Sequence, residues 1–327
     1  MGRIGEIMYT RENFKEVKSI IDIRRSTAQA TADRKNAEVA AMSDEIREID
    51  RELRSTGLKL FKAACKGEDI TPIRERNQLL CAERRRLIVA LGLPEDYTEV
   101  KYECPTCSDS GFVNDRMCSC FKELLIKANI KSSGIGSLID SQSFENFDLD
   151  AYRSSEENYK RMRSIYTKAR NYVEDFGQGA PKTLLFIGKT GTGKTHISTS
   201  IAKELIEKGV EVIYDSSQNI INAFEHDRFK SGYGPSESQG DKYIDCELLI
   251  IDDLGAEFVN QFTISCLYNL INTRQNKGLY TIISTNLESN ELRTNYEGRI
   301  HSRLIGHNTT VWQFVGVDYR MVGNVKK

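Results

Sequence analysis

The chain has 327 residues, and its 46 Lys and Arg side chains are set against 47 Asp and Glu side chains, for a net charge of −1. A chain of this length is expected to form two or three folding units and to bury a sizeable core. Because the charges nearly cancel, the composition excludes a strong positive field over the whole surface. Any contact with nucleic acid must therefore come from a local patch.

The N-terminal segment MGRIGEIMYT lacks the apolar core of a signal peptide, and no apolar run approaches the roughly 18 residues that span a bilayer. We therefore expect a cytoplasmic protein without a membrane partner. In such a chain, cysteines are better explained as thiols or metal ligands than as disulfides. Four cysteines are scattered among apolar neighbours and are expected to be buried thiols: Cys65, Cys81, Cys246 and Cys266.

The first hundred residues are predicted to form a helical hairpin or a small bundle. Residues 10–56 contain no proline, and they carry one apolar stripe at helical spacing, made of Met42, Ile46, Ile49 and Leu53. Gly57 is expected to interrupt this helix, and a second helix is expected to begin near Pro72. The balanced charges favour solvated faces and partner helices, so both a coiled spacer and a module that docks a partner protein remain open.

Chain breaks divide the rest of the sequence. LGLPEDYTEV separates the helical region from a cysteine-rich segment, and KSSGIGSL from Lys131 is predicted to be a flexible connector. The predicted organisation has four parts, which are a helical partner-binding domain (1–100), a four-cysteine module (101–125), a linker (126–140) and a nucleotide-binding domain (141–327).

From Ser143 onward, short apolar runs alternate with helical periods. This order predicts an α/β fold with a mostly parallel sheet covered by helices on both faces. The predicted strands are TLLFIG from residue 183, VEVIYD from 210, ELLIIDD from 247, LYTIISTN from 279 and TTVWQFV from 309.

A phosphate-binding loop follows the first of these strands. GKTGTGKTH matches the pattern G-x-x-x-x-G-K-[ST], with a strand before it and an amphipathic helix after it. Its glycines let main-chain N–H groups turn inward around phosphates, while Lys194 is expected to reach the β and γ phosphates and Thr195 to bind magnesium. The predicted nucleotide-binding residues are Gly188, Thr190, Gly191, Thr192, Gly193, Lys194, Thr195 and His196.

Polar residues end two further strands of the predicted sheet. LLIIDDLG brings Asp252, expected on the magnesium side through bound water, and Asp253, expected to polarise the attacking water. YTIISTN ends in Asn286, which is expected to orient that water. The alternatives are an acidic pair that caps a turn and an asparagine that forms one.

Two arginines in the C-terminal part of the chain are candidates for contacting a γ-phosphate. In EGRIHSRL, Arg299 and Arg303 stand four residues apart on one helical face, which suits a finger reaching into a neighbouring subunit. The alternative is a solvated basic face that pairs with Glu297. Arg320 follows in the VDYR segment near the C-terminus.

Four cysteines form a pattern C-x2-C-x10-C-x-C, made of Cys104, Cys107, Cys118 and Cys120. Two close pairs at the ends of a short loop can bring four thiolates around one Zn²⁺, and a closed set of four leaves no open position for catalysis. A structural zinc site is therefore expected. The tight final C-x-C keeps an iron–sulfur cluster or unliganded thiols open as alternatives.

These motifs together resemble a known family. The phosphate loop, LLIIDDLG, IISTN, the paired arginines and the terminal DYR look like the AAA+ ATPase core of the DnaC-type replicative helicase loaders, a core shared by the transposition helper IstB. SQSFENFDLDAY is similar to the family's lead into this core, and YECPTCSDSGFV with CSC resembles a cysteine module in one branch of loader-like proteins. The resemblance covers about residues 100–327.

The resemblance implies a five-stranded parallel sheet that binds ATP and Mg²⁺. It further implies a chain that binds the replicative DNA helicase through residues 1–100 and delivers it to single-stranded DNA in replication initiation or restart. Among the site residues, Asn286 becomes the first sensor and Arg320 the second, and Arg299 or Arg303 acts across a subunit boundary when ATP-bound copies associate. Because Asp253 stands where glutamate is common, slow, switch-like hydrolysis is expected.

Contact with single-stranded DNA is expected by the same analogy. FEHDRFKSGYG interleaves basic and aromatic side chains, which suits phosphate contact and base stacking, at Arg228, Phe229, Lys230 and Tyr233. The alternative is an ordinary loop after a helix. Among whole-protein functions, a transposition helper remains the second candidate, whereas a small-molecule kinase is disfavoured because no arginine-rich lid is present.

Overall fold

The computed structural model describes residues 10–66, 68–230 and 238–318 of the chain. It divides into two compact units, one of Lys15–Lys122 and one of Met1–Phe14 with Glu123–Lys327. No helix among the described residues is long and apolar enough to cross a membrane.

The first unit contains most of a long helix and a helical hairpin, in agreement with the sequence prediction. Its helices are α1 (Arg11–Met42), α2 (Asp44–Lys66) and α3 (Thr71–Ala90). Buried Val39, Ile46 and Ile88 form a small core where these helices meet. Helix α3 carries Pro72 in its first turn, as expected for a residue that lacks an N–H and has a helical φ.

Gly57 does not end a helix, so that prediction is wrong. Helix α2 runs through it to Lys66. A glycine inside a helix costs only about 1 kcal/mol relative to alanine, and polar contacts to α3 hold α2 in the turns that precede Gly57. Arg76 Nε donates to Glu52 Oε1 at 2.7 Å, and Arg84 Nε donates to Asp50 Oδ1 at 2.7 Å.

A two-stranded hairpin follows within the same unit. Strands β1 (Phe112–Val113) and β2 (Arg116–Met117) pair antiparallel. The turn between them holds Asn114 and Asp115 at φ angles of 48° and 61°, the left-handed conformation that two-residue hairpin turns require. Asparagine and aspartate tolerate this conformation better than other non-glycine residues.

The predicted flexible linker at residues 126–140 is instead ordered, which corrects the sequence interpretation. Helix α4 (Ser119–Ser132) covers its first half, and helix α5 (Leu138–Ser141) covers its end. Ile135 and Ile139 are buried in the core of the second unit, against which Ile126 and Ile130 also pack. The serines and glycines of KSSGIGSL suggested flexibility, but isoleucines every four or five residues determine the structure.

A five-stranded parallel sheet forms the centre of the second unit and confirms all five predicted strands. The strand order is β4-β5-β6-β3-β7. The strands are β3 (Thr183–Ile187), β4 (Val212–Ser216), β5 (Leu248–Leu254), β6 (Tyr280–Thr285) and β7 (Thr309–Gln313). The α/β class and the five-stranded parallel sheet predicted from the sequence are thus confirmed.

Helices cover both faces of this sheet. They are α6 (Glu156–Glu174), α7 (Lys194–Glu207), α8 (Ser217–Lys230), α9 (Asp241–Asp245), α10 (Gln261–Lys277), α11 (Ser289–Asn295) and α12 (Glu297–Ile305). One buried cluster joins α6 and α7 to one face, and a second joins α8 to α12 to the other. Because the strands are parallel, their carboxyl ends meet at one edge, where the polar residues after β3, β5 and β6 converge.

The four scattered cysteines divide into two pairs. Cys246 and Cys266 are buried in the second unit, as predicted. Cys65 and Cys81 are exposed on α2 and α3, so the prediction for these two is wrong. In a thin helical layer a large part of each helix surface faces water, and apolar sequence neighbours do not guarantee burial.

Candidate nucleotide and metal sites

The loop between β3 and α7 has the backbone that a phosphate cradle needs. Gly191 and Gly193 adopt φ angles of 74° and 92°, which favour glycine. A Cβ on Gly193 would lie 2.6 Å from the Tyr152 hydroxyl oxygen, and one on Gly191 would lie 1.9 Å from Asp318 Oδ1. The loop therefore tolerates no side chain at either position, and the N-terminus of α7 points into it.

Lys194 is buried against this loop and reaches across to the neighbouring strand. Its Nζ donates to the carbonyl oxygens of Gly188 and Lys189 at 2.6 and 3.0 Å and to Asn286 Oδ1 at 2.6 Å. The cation is thus held at the carboxyl ends of β3 and β6. This is where a loop-bound phosphate chain would pass.

Asp252, at the carboxyl end of β5, is buried and accepts hydrogen bonds from three other elements. Thr195 Oγ1 donates to its Oδ2 at 3.3 Å. The hydroxyls of Tyr214 on β4 and Ser284 on β6 also donate to the same carboxylate. The predicted magnesium pair, Thr195 and Asp252, is therefore brought together, and the sequence analysis missed Tyr214 and Ser284.

Asp253 and Asn286 are exposed neighbours at the same edge. Asn286 Nδ2 donates to Asp253 Oδ1 at 3.3 Å. Asp253 has a φ of 52°, an uncommon conformation for a non-glycine residue, and its N–H donates to Ser284 Oγ at 3.0 Å. This conformation occurs where the pairing of β5 with β6 is irregular, between Ile251 and Leu254, and both Asp253 and Asn286 line the cavity.

A cavity of about 710 Å³ connects these groups with the segment that precedes α6. Phe147 stacks on Tyr152 with ring centroids 5.8 Å apart and meets the His196 ring edge-on at 5.1 Å. Tyr152 donates its hydroxyl to Thr192 O at 3.0 Å, which ties this aromatic wall to the phosphate loop. The cavity thus has a polar end for phosphates and an aromatic end suited to a nucleobase.

His196 belongs to the wall of this cavity, and its ring nitrogen Nε2 lies 2.8 Å from Ser143 O. Burial lowers the pKa of His196, which favours the neutral ring. Of the other predicted loop residues, Thr192 is buried and donates its hydroxyl to Lys189 O at 2.7 Å, whereas Thr190 is exposed.

The four predicted metal-binding cysteines converge in the first unit. Their Sγ atoms all lie within 4.8 Å of one another. The Sγ atoms of Cys104 and Cys118 are 3.8 Å apart, and those of Cys107 and Cys120 are 3.5 Å apart. Tetrahedral zinc with Zn–S bonds of about 2.3 Å would place sulfurs about 3.8 Å apart, so the set fits zinc.

Main-chain hydrogen bonds hold the cysteine loops in place. Asp109 is fully buried and accepts the N–H groups of Glu103 and Cys104, each at 2.9 Å. Cys118 N–H donates to Gly111 O at 2.9 Å, which joins the two cysteine pairs across the hairpin. A hydrogen bond from the Cys107 main chain lowers the pKa of Cys104 to about 7, which favours its thiolate, whereas burial raises the pKa of the neighbouring Cys120.

The sequence model of a family described as IstB-like ATP binding protein matches residues 136–303, which contain the cavity and all of its polar end. The chain belongs to this IstB-like family. The ATPase core predicted from the motifs is thereby confirmed, and we describe the protein as a P-loop AAA+ ATPase.

Two curated relatives of this IstB-like chain are replication proteins. The replicative helicase loader DnaC of Escherichia coli (strain K12) is 25% identical over 183 residues, which are 56% of this chain and 71% of the relative. The chromosomal replication initiator protein DnaA of Helicobacter hepaticus is 27% identical over 192 residues, 55% of this chain and 40% of the relative. A crystal structure of the DnaC helicase loader aligns with a TM-score of 0.44 and 21% identity, covering 53% of this chain and 98% of that one.

The structure describes the three candidate arginines of the IstB-like core to different extents. Arg299 and Arg303 both lie on α12, and the side chain of Arg299 is outside the described part. Arg303 is half-buried, and its carbonyl oxygen accepts from Gln275 Nε2 at 3.1 Å and Thr309 Oγ1 at 2.8 Å. Arg320 lies outside the described residues.

The predicted DNA-contacting stretch of the IstB-like core begins at the end of α8. Arg228 is exposed and lies over the Phe262 ring at 5.3 Å, and Phe229 is 77% exposed. Lys230 is the last residue of α8, and Tyr233 lies outside the described residues. Phe258, shortly before α10, is 80% exposed.

Proposed function

We propose that this chain is an ATP-dependent loader that binds the replicative DNA helicase and delivers it to single-stranded DNA in replication initiation or restart. The observation that carries the proposal is the match to the helicase loader DnaC, which spans 71% of that relative. The helical unit and the cysteine module that precede the core give this chain additional surfaces for a partner.

In this proposal the cavity holds ATP with Mg²⁺. Lys194 binds the β and γ phosphates, while Thr195 and Asp252, whose oxygens are 3.3 Å apart, hold the metal and its bound water. Oxygen ligands are those that Mg²⁺ prefers, which fits this pair. Asp253 and Asn286 position the attacking water, and Asp253 supports slow turnover because an aspartate is one carbon shorter than glutamate.

The α12 arginines complete the site of a neighbouring copy when ATP is bound. Both residues stand on a nine-residue helix that packs against α10 and the sheet. Removal of an arginine finger from a phosphoryl-transfer site slows hydrolysis by about 10³-fold or more. Arg299 or Arg303 would thus link self-association to hydrolysis, and Arg320 would serve as the second sensor.

The helicase is expected to bind the helical domain of residues 1–100. Helix α3 exposes two large apolar side chains there, Leu79 at 65% and Val89 at 54%. Pull-down with the full chain as bait should retain purified replicative helicase but not an IS21-type transposase. Replacement of Leu79 and Val89 by serine should weaken this retention, while the matched change of exposed Leu91 to serine should not. Retention of transposase alone would favour the second candidate, a transposition helper, to which the family description itself points.

Single-stranded DNA is expected to contact the end of α8. The double change Arg228→Ala and Lys230→Ala should remove the stimulation of ATP hydrolysis by single-stranded DNA, because both cations face the phosphate backbone in this proposal. The matched control is Lys160→Ala with Lys168→Ala, two exposed cations on α6. Unchanged stimulation in the first double variant would contradict the assignment.

The four-cysteine module is proposed to hold one structural Zn²⁺ through Cys104, Cys107, Cys118 and Cys120. The convergence of four thiols supports this, and so does the absence of an open position in a four-sulfur set. When bound, the metal would crosslink the two cysteine pairs and would take no part in catalysis. An iron–sulfur cluster is the alternative that the same ligands permit.

A further inference from the structure

Tyr214 connects two features that lie on different sides of strand β4. The strand is at the edge of the sheet, next to β5. The N–H of Tyr214 donates to Ser133 O at 2.7 Å, immediately beyond α4, while its side-chain hydroxyl donates to the Asp252 carboxylate. One residue therefore joins the segment after α4 to the carboxylate at the polar end of the cavity.

The segment after α4 is tightly held against Tyr214. Ser133 is fully buried, and Gly134 has a φ of 81°. A Cβ on Gly134 would lie 2.4 Å from the carbonyl oxygen of Tyr214, so the two main chains approach as closely as glycine permits. Any side chain at this position must displace the segment or the strand.

The end of α4 is itself fixed by the first residues of the second unit. Asn13 Nδ2 donates to Asn129 Oδ1 at 2.7 Å and to Ser132 Oγ at 2.9 Å. These bonds connect the start of α1 with the last turn of α4. The main chain that meets Tyr214 is therefore anchored on both of its sides.

The orientation of Asp252 depends on hydroxyl groups rather than on cations. Its Oδ2 accepts from Tyr214 and Thr195, and its Oδ1 accepts from Ser284. If Thr195 bound a metal instead, Tyr214 and Ser284 would still hold the carboxylate.

We propose that Tyr214 is a positioning residue for magnesium binding: its hydroxyl orients Asp252, and its main chain makes that orientation depend on the Ser133–Gly134 segment. The inference rests on the proposed role of Asp252 at the metal. A carboxylate that accepts hydrogen bonds from metal-bound water must face that water, and a free rotation of Asp252 would weaken the metal site. Tyr214 thus acts through Asp252 and touches no reacting atom.

The first test compares two tyrosine hydroxyls that form hydrogen bonds on opposite faces of the sheet near strand β4. Tyr214→Phe removes the hydrogen bond to Asp252. Tyr243→Phe removes a similar hydrogen bond of 2.8 Å to Asp215 Oδ2, and although Asp215 lies on strand β4, neither residue of this pair lines the cavity. The magnesium concentration that half-saturates binding of a fluorescent ATP analogue is measured for each full-length variant, and the magnesium dependence of ATP hydrolysis is measured beside it. For Tyr214→Phe we expect the half-saturating magnesium concentration to rise about tenfold, with binding of the analogue in EDTA unchanged. For Tyr243→Phe we expect no change in this magnesium concentration.

A second variant tests the main-chain connection. Gly134→Ala should raise the same magnesium requirement although Tyr214 is intact, and the double variant Gly134→Ala with Tyr214→Phe should shift it no further than Tyr214→Phe alone. Equal magnesium curves for wild type, Tyr214→Phe and Gly134→Ala would overturn the inference while leaving the proposed function standing. A wild type whose nucleotide binding and hydrolysis ignore magnesium would overturn both.

Discussion

Replacement of Lys194 by alanine is expected to lower kcat for ATP hydrolysis by about 100-fold or more, because it removes a preorganised cation from the transferring phosphoryl group. Lys194 is the buried residue that bridges the phosphate loop and Asn286. Its loss also leaves the Gly188 and Lys189 carbonyl oxygens without this donor. The measurement is steady-state phosphate release by the purified full-length chain, with ATP affinity measured separately by a fluorescent analogue.

The matched control is Lys203→Ala, which removes a lysine from the same helix α7 away from the cavity. It should hydrolyse ATP at the wild-type rate. Asp253→Asn separates binding from hydrolysis, since asparagine tolerates the φ of 52° and can keep the local backbone of β5. This variant should bind ATP normally and hydrolyse it more slowly. Rapid turnover that is insensitive to Asp253→Asn would contradict the proposed slow, water-polarising site.

Removal of metal from the four-cysteine module is expected to unfold its loops. Apart from the first turns of α4, the secondary structure of the module consists of two strands of two residues each, and Cys107 and Cys118 are among its few buried side chains, so it has little core of its own. Zinc binding by comparable small sites contributes about 10–16 kcal/mol at pH 7. The purified protein should be colourless with about one zinc per chain, and strong chelation or Cys107→Ser should expose residues 103–120 to hydrogen exchange.

The control for the cysteine change is Cys81→Ser, which alters an exposed thiol on α3. This variant should retain the metal and the exchange protection of wild type. Brown colour together with bound iron and sulfide would show that the four cysteines hold an iron–sulfur cluster instead of zinc. A metal-free protein with fully protected loops would contradict any structural metal at this site.

Much of the nucleotide site was predictable because its motifs are local. The spacing of Gly188, Gly193 and Lys194 specifies a loop, and a buried strand that ends in Asp252 must deliver that carboxylate to the same sheet edge. Tyr214 and Ser284 were not predictable in this way. Their hydroxyls reach Asp252 only because strand order places β4 and β6 on either side of β5, and single-sequence patterns do not give strand order.

Two wrong predictions, a helix break at Gly57 and a flexible linker around Gly134, have a common physical origin. Gly57 lies inside α2, and the glycine-containing segment around Gly134 packs tightly instead of forming a flexible linker. In both places glycine was interpreted through its intrinsic preference, whereas tertiary contacts decided the structure. At Gly134 the small residue marks close packing of two main chains, and its positive φ is the feature that a sequence does not display.

Delivery of a replicative helicase to single-stranded DNA is the function that we propose for this ATPase. The most direct measurement mixes the helicase, circular single-stranded DNA and the full-length chain, and quantifies DNA-bound helicase after gel filtration. We expect several-fold more DNA-bound helicase with the wild-type chain and ATP than without the chain, and loss of that gain with the Leu79 and Val89 serine variant. An equal amount of DNA-bound helicase with and without the chain, in the presence of ATP and Mg²⁺, would contradict it.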